Sequence, residues 1–365
     1  MNNVCPRCVM DSSAEGFYKY DNDCSFCRNM EIKSANDEQA NDLNNLVDSI
    51  KFKNRGKQYD CLIGVSGGVD SAYVLHKAIQ IGLRPLVIHV DNGWNTALSQ
   101  HNVEKLVVRS NSTFLSEILY WPEYRDHLKA LLRSNVVDLE LLADNIMNKV
   151  LLRTAIKYNI KHILNGVNTT TEGIALPKNW AWNKLDGTNL TSIIKRYSES
   201  NIDKIKPIGP SAFYSLQKFY GVKNIPFLNY FDFNKEKALI ELKERFDFVP
   251  YRYKHYESVF TRFYQGYILP NKFGIDKRKM HFSALIVSGE MSREKACELL
   301  NTSPYPSQSL LLRDKKFVSK KLGLDNSALD EYISQPEVPH DTYKTNVKNL
   351  QFAKRLFKLE VGFNR

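Results

Sequence analysis

Residues able to do chemistry fall into three groups along the 365-residue chain. The first is Cys5-Pro6-Arg7-Cys8 and Cys24-Ser25-Phe26-Cys27, two C-x-x-C pairs with fifteen residues between them. Two intervening residues let a tight turn aim both sulfurs at one ion, and the spacing is that of a four-thiolate zinc site. A closed structural zinc is expected; an iron–sulfur cluster or a redox dithiol pair are the other chemistries open to such thiolates. A catalytic zinc is not expected, because four protein ligands leave no position for a substrate. The fifteen-residue excursion is expected to form a short hairpin over Phe17, Tyr18 and Tyr20.

The second group is Ser66-Gly67-Gly68-Val69-Asp70-Ser71. Its glycines let backbone approach a phosphate closely, and Ser66 and Ser71 add hydroxyl donors. A helix starting here would present free N–H groups and a positive dipole end, so anion binding is the physical expectation. The turn is too short for G-x-x-x-x-G-K-[ST] and lacks its lysine. Asp70 would repel a bare phosphate, which makes sense with a magnesium ion between them. The third group lies at 251–295, where Tyr, Phe, Arg and Lys interleave without helical or strand periodicity. Exposed, such a surface suits a sugar carrying a nucleotide or carboxylate, and on composition it suits single-stranded RNA about as well.

The elements that must position these residues are legible around the second group. The apolar run Tyr59–Val65 leads into it as a strand. Ala72, Val74, Leu75, Ala78, Ile79 and Ile81 then mark a helix face stopped by Gly82, and Pro85–Asp91 is a second strand. Strand, glycine turn, helix and strand make a βαβ unit of a parallel sheet. A helix is expected through Ala143–Arg153, a strand over Lys161–Val167, and helices from Pro304 onward, including Tyr343–Leu359.

Following a strand, the Ser66–Ser71 run resembles the PP-loop of the ATP pyrophosphatases, the superfamily of GMP, NAD and asparagine synthetases and the tRNA-thiolating enzymes. The resemblance implies an α/β fold with a doubly wound parallel sheet, and cleavage of ATP between its α and β phosphates. Ser66, Gly67, Gly68, Asp70 and Ser71 would then bind ATP, with Asp70 catalytic and on magnesium. In that superfamily the end of the second strand borders the adenosine, which makes Asp91 and Asn92 ATP candidates; Asp91 equally reads as a cap for the Ala97–Val108 segment. Gly166-Val167-Asn168-Thr169-Thr170-Thr171-Glu172 resembles a segment of NAD synthetase with one extra residue before the acid. It implies Gly166 and Thr171 at ATP and Glu172 as a second magnesium ligand.

The chain as a whole is similar to the N-acetyl sugar amidotransferases of surface-polysaccharide, lipopolysaccharide O-antigen and nonulosonic-acid biosynthesis. The shared features are the cysteine pairs, the PP-loop, Asn165–Asn168 with Glu172, Lys254-His255-Tyr256-Glu257-Ser258, and Phe273–Arg278 near Ser288-Gly289-Glu290. The likeness implies conversion of a sugar acetamido group to acetamidino through an adenylated imidate. His255, with an unperturbed pKa near neutrality, is a candidate proton carrier, and Lys254 or Arg278 a candidate to neutralise the α phosphate. Trp180, Lys195, Glu257, Arg262 and Lys272 are the substrate-side candidates, although Glu257 also reads as a partner of Lys254 or Arg252.

Ammonia needs a source. Cys61 lies in a strand, Cys297 in a helix pattern and Cys5 in a knuckle, so none sits on a glutaminase elbow. The expectation is a separate glutaminase subunit, with a possible channel-forming partner. The rivals are a tRNA thiolase, which would need further catalytic cysteines, and a non-catalytic nucleotide-binding regulator.

The formal charge is +11, and residues 181–365 carry the excess, with 31 Lys and Arg against 20 Asp and Glu, whereas 1–180 balance at 20 each. An anionic partner for the second half follows, with nucleic acid disfavoured once the amide chemistry is weighed. No apolar run approaches about 18 residues, and the start Met1-Asn2-Asn3-Val4-Cys5 lacks a secretory pattern, so a cytoplasmic protein with no membrane contact is expected. The expected organisation is a zinc-ribbon-like module (1–33), a linking helix (34–56), the ATP core (57–200) and a basic, mainly helical substrate or partner region (201–365).

Overall fold

The computed structural model describes residues 3–30, 37–251, 256–325 and 327–347. Five strands, β1 Cys61–Gly64, β2 Pro85–Asp91, β3 Thr113–Ile118, β4 His162–Asn165 and β5 Lys223–Pro226, form one sheet in the order β3-β2-β1-β4-β5. Every neighbouring pair is parallel, with Leu62 of β1 opposite both Leu86 and Ile163. Side chains alternate along a strand, so Cys61 and Ile63 join the layer holding helices Val69–Gln80, Ala97–Ser110 and Lys235–Phe246, while Leu62 joins the layer holding helices Trp121–Arg133, Leu141–Lys157 and Gly187–Tyr197. Both faces are therefore covered, which is why three successive residues of β1 have no exposed surface. This is the doubly wound arrangement. The connections leave β1 and β4 toward opposite faces and open a crevice beyond their carboxyl ends.

The sheet runs past the boundary expected at 200. β5 and helix Lys235–Phe246 are part of the layers, so the core extends into the basic half. The linking helix is Asp37–Lys53, and its Val47 and Ile50 are buried beside helix Val69–Gln80. Around the cysteines, Val4 bridges Asp11 and Lys19 bridges Cys24, a tight hairpin closed by Ser25 N–H donating to the Tyr18 carbonyl at 2.9 Å. Tyr18 and Tyr20 are exposed rather than sheltered by it.

Beyond residue 251 the structure is helical: Val259–Phe263, a π-helical turn Tyr264–Ile268, Leu269–Phe273, Arg278–Val287, Arg293–Leu300, Gln308–Leu322 and Ala328–Ser334. The expected lack of periodicity at 251–295 has a simple cause, because the π-helical turn breaks the phase of the otherwise continuous helical run from Val259 to Phe273. The helix expected at Tyr343–Leu359 lies largely outside the described residues; Tyr343 itself follows a 3-10 turn, His340–Thr342, and is buried against the Ser134 carbonyl. No helix among the described residues is long and apolar enough to cross a membrane.

A buried ionic knot ties these parts together. The Lys184 ammonium donates to both Asp138 oxygens at 2.8 and 2.7 Å, and Asp138 also accepts from Trp182 N–H. Trp182 stacks on His340 with centroids 4.9 Å apart, and His340 accepts from Asp138 N–H, so the segment around His340 is fixed to the core. Burial opposes charge on Asp138, but Lys184 and Lys277 outweigh it and hold the carboxyl below its usual range. A depressed carboxyl stabilises the fold above its unfolded pKa of about 3.9, and that contribution disappears as pH falls through the lower folded value. Asp138→Ala leaves the Lys184 ammonium with the half-buried Asp144, 3.0 Å away, and removes the acceptor of Trp182 N–H, and is expected to cost about 3 kcal/mol. Urea denaturation at neutral pH measures this, and the deficit should shrink in strong acid.

Candidate functional site

β1 delivers the Ser66–Ser71 loop to the crevice, and the structure shows how it is held. Gly67 has φ +82°, and a Cβ there would lie 2.6 Å from Ser99 Oγ and 2.8 Å from the Ser99 carbonyl oxygen. Only glycine meets both demands. The loop carbonyls are satisfied by side chains: Ser99 Oγ donates to Ser66 O at 2.8 Å, Asn102 Nδ2 to Gly67 O at 3.3 Å, and Ser71 Oγ to Gly68 O at 3.2 Å. With its carbonyls tied back, the loop can present amides and hydroxyls at the start of helix Val69–Gln80, as an anion site requires. Ser99 and Asn102 are not anticipated from sequence. Their signal is faint: two polar residues on the buried stripe of helix Ala97–Ser110, beside Val103 and Leu106.

The loop after β4 closes the other wall. A Cβ on Gly166 would sit 2.9 Å from both the carbonyl carbon and the Cβ of Asp70, so this glycine permits the β4 loop to lie against the residue expected to hold magnesium. Asn168 caps helix Thr169–Glu172 by accepting from Thr171 N–H at 2.8 Å and from Thr171 Oγ1 at 3.1 Å. Thr171, expected on ATP, is thus buried in the cap, while the same short helix carries Glu172 at its end. Asp70 and Glu172 are hard oxygen donors of the kind magnesium takes together with substrate phosphates.

Beyond β2, Asp91 Oδ1 accepts from Gly93 N–H at 2.8 Å and from Asn95 Nδ2 at 3.1 Å, and Asn92 Oδ1 accepts from Trp94 N–H. Both residues shape a turn at the crevice, and the alternative cap role for Asp91 belongs to Thr96, which accepts from Ser99 N–H. His89 links the turn to the loop: its Nδ1 lies 2.7 Å from the Val65 carbonyl oxygen, as donor, and its Nε2 2.9 Å from Asn95 Nδ2, as acceptor.

The carboxyl-terminal region reaches this site through residues 257–259 and through Lys321, whose ammonium donates to the Gly93 carbonyl. Asn95 and Ser258 form an antiparallel bridge, with Thr96 N–H donating to Glu257 O at 2.9 Å and Val259 N–H to Trp94 O at 2.8 Å. The Glu257 carboxylate is thereby set against the phosphate loop, 3.1 Å from where a Cβ on Gly68 would be. Lys254 and His255 lie outside the described residues.

Four other expectations need correction. Trp180 has no exposed surface; it is a core residue whose indole donates to Ser13 O. Arg262 forms a two-pronged pair with Asp314, 2.7 and 3.0 Å, with both side chains nearly buried. Arg278 is clasped by Asp276 and by the carbonyls of Leu299 and Thr302, which end helix Arg293–Leu300. Lys272 donates to Asn135 Oδ1 and to the carbonyls of Tyr332 and Gln335. These cations hold helices together, and so at Arg262, Lys272 and Arg278 the open surface that was expected is internal structure. Lys195 is exposed in the last turn of helix Gly187–Tyr197.

The four amino-terminal cysteines are buried, with ligand atoms all within 4.8 Å of one another and no other such metal-binding group found among the described residues. Sulfur separations of 3.6, 3.7 and 3.9 Å match the roughly 3.8 Å expected from tetrahedral bonds of about 2.3 Å to zinc. Without metal the thiols compete for protons: Cys24 is pushed down by sulfur hydrogen bonds from Cys27 and Cys8, and Cys27 is pushed up by its bonds to Cys24 and Cys8. Zinc would hold all four as thiolates. The module clamps both halves: Arg293 donates to the carbonyls of Cys5 and Cys8, Lys279 pairs with Asp11 at 2.6 Å, and Asn179 Nδ2 donates to Ser13 O.

Residues 257–357 match a family model described as LPS biosynthesis protein WbpG-like, C-terminal domain. No curated protein matches the chain. Among solved structures, the chain is similar to an NMN synthetase from Francisella tularensis, at 13% identity over 84% of this chain and 99% of that one, with a TM-score of 0.35. An NH3-dependent NAD synthetase from Campylobacter jejuni subsp. jejuni, solved in complex with the nitrate ion, aligns at 16% identity over 59% of this chain and 86% of that one, with a TM-score of 0.30.

Gly166→Val would press a side chain into the backbone of Asp70. A fall in kcat/KM of about 10²-fold or more is expected, with a thermal midpoint shifted by only a few degrees. Metal analysis of the purified chain should return one zinc per chain, lost in Cys24→Ser together with protease resistance of the 279–293 segment that the module clamps.

Proposed function

We propose that this chain is an ATP-dependent synthetase of surface-glycan biosynthesis that converts a sugar acetamido group into an acetamidino group. Ammonia comes from a separate glutaminase, and AMP and pyrophosphate are released. The observation that carries the reading is a junction: the segment matching the lipopolysaccharide-biosynthesis domain begins at Glu257, whose carboxylate stands on the phosphate loop of β1. Glycan-specific chain and ATP-type loop thus share one crevice.

The amide carbonyl oxygen attacks the α phosphorus of ATP, the bond to the bridging oxygen breaks, and pyrophosphate leaves. Ammonia adds to the adenylated imidate carbon, a proton is lost, and AMP departs with the former amide oxygen. Ser66, Ser71 and the start of helix Val69–Gln80 hold the leaving pyrophosphate, and the Asp91–Asn92 turn lies on the adenosine side. Asp70 and Glu172 would hold magnesium, which supplies charge neutralisation across the phosphates. Lys254 and His255 remain the proposed α-phosphate cation and proton carrier, and Glu257 is positioned to receive a proton or orient the acceptor.

The cysteines support nitrogen from outside. Four of six are gathered in the amino-terminal cluster, Cys61 is wholly buried in β1 with burial pushing its thiol up, and Cys297 lies within helix Arg293–Leu300. None stands at a site where it could attack glutamine, and none forms the pair near ATP that sulfur transfer to tRNA would use.

With ATP, magnesium, ammonium and nucleotide-linked acetamido sugars, mass spectrometry should show product with one O replaced by NH, in step with AMP and pyrophosphate. Ser66→Ala and Asp70→Ala are expected to lower this rate about 10²–10³-fold. Pyrophosphate release that depends on tRNA and ignores every acetamido sugar would overturn the reading.

A further inference from the structure

Past the carboxyl end of β3, at the edge of the sheet, lies a cavity of about 190 Å³ whose walls include Lys149, Arg153, Lys204 and Lys206 against a single acid, Glu117. A second cavity of about 210 Å³, lined by Asp91, Gly93, Trp121 and Lys321, shares Ile118 and Leu119 with it. The two form a groove running outward from the Asp91 turn. We propose that this groove binds the nucleoside diphosphate portion of the acceptor sugar, the phosphates on the lysines and the base against Tyr120; the assignment rests on the acetamido-sugar reading above.

Charge is the first argument. Arg153 pairs with Glu117 at 2.5 Å, which leaves three lysines around the cavity without a second acid among its lining residues. The half-buried Lys149 ammonium donates to the Lys206 carbonyl at 2.8 Å, and its pKa is lowered by burial and by Arg153 and Lys206 nearby. Crowding like charges in this way is unfavourable in the empty protein and is relieved by a multivalent anion.

Rigidity is the second. The loop that brings Lys204 and Lys206 is laced to helix Trp121–Arg133 by two buried carboxylates. Glu123 accepts from the N–H groups of Asp203, Lys204 and Ile205 at 2.8–2.9 Å, and Asp126 from those of Glu199 and Ser200 at 2.8 and 2.7 Å. Cations on a loop fixed in advance lose little freedom when a ligand arrives. The rim is the third: Tyr120 is 47% and Ile118 76% exposed, and the Lys204 ammonium lies 3.9 Å over the Tyr120 ring. An aromatic face beside a phosphate-binding cluster is what a nucleotide requires, and a neutral sugar would use neither.

The test uses the full chain saturated with α,β-methylene-ATP and magnesium, which fills the phosphate loop, titrated calorimetrically with UDP-N-acetylglucosamine. Saturable, salt-sensitive binding is expected, weakened about tenfold or more in Lys204→Glu/Lys206→Glu, with α,β-methylene-ATP affinity and melting temperature unchanged. Absence of saturable binding, equal affinity in the charge-reversed variant, or equal binding of free N-acetylglucosamine would each overturn it. Two further outcomes separate the claims. Binding that behaves as expected while no acetamido sugar yields AMP keeps the groove and removes the reaction; turnover whose KM ignores the charge reversal does the opposite.

Discussion

Ser99, Asn102 and Ser71 hold the carbonyl oxygens of Ser66, Gly67 and Gly68, and the site depends on those three bonds. A glycine turn between strand and helix has no regular ladder to satisfy it, so its backbone groups must find side chains or water. Turning the carbonyls inward fixes which way the loop faces. Asn102 does more than brace the loop: it also exchanges hydrogen bonds with Val249, donating to its carbonyl and accepting from its N–H at 3.0 Å. The chain leaving the sheet layers for the carboxyl-terminal helices is thereby registered against the phosphate loop, a few residues before Glu257 arrives there.

The excess positive charge looks different once each cation is located. Arg262, Arg278, Lys272, Lys277 and Lys279 are engaged with Asp314, Asp276, backbone carbonyls, Glu140 and Asp11. They serve as cross-ties among the carboxyl-terminal helices, whose apolar residues such as Phe263, Ile268 and Leu269 join the core. Burying a charge is tolerable only with such a partner. The net charge of +11 therefore does not describe one open basic face. A crowded set of lysines persists beyond β3, and two of them come from a loop, 203–206, in the half the composition marks as basic.

Much of the fold was legible. β2 and the helix after the phosphate loop follow the apolar periodicity, and Cys5, Cys8, Cys24 and Cys27 converge as their spacing requires. β3 and β5 were not legible, because edge strands are half-exposed and Lys223–Pro226 is four residues with a proline at its end. At the site, the Ser66–Ser71 loop was singled out by its glycines and hydroxyls after a strand, and Asp91 and Asn92 by resemblance and by their place at the end of β2. Gly166 was placed on ATP by resemblance, whereas its role in the fold is to let β4 approach Asp70. Ser99 and Asn102 escaped because a polar residue on a buried helix stripe announces a hydrogen bond without naming its partner. Arg262 and Arg278 misled for the converse reason: an arginine that clamps a ligand and one that clamps an aspartate look the same in sequence.

In the proposed reaction the acetamido oxygen is adenylated, so that ATP is cut at its α phosphorus and the oxygen leaves with AMP. Oxygen-18 placed in the acetamido carbonyl of a nucleotide-linked sugar tests it directly. Under turnover with ammonium, the label is expected in the phosphate of AMP, one atom for each acetamidino group formed, with none in pyrophosphate. Label appearing in inorganic phosphate alongside ADP would mean activation at the γ phosphorus. Label retained in the sugar while AMP accumulates would mean that the amide is not the nucleophile, and either result would contradict the proposed reaction.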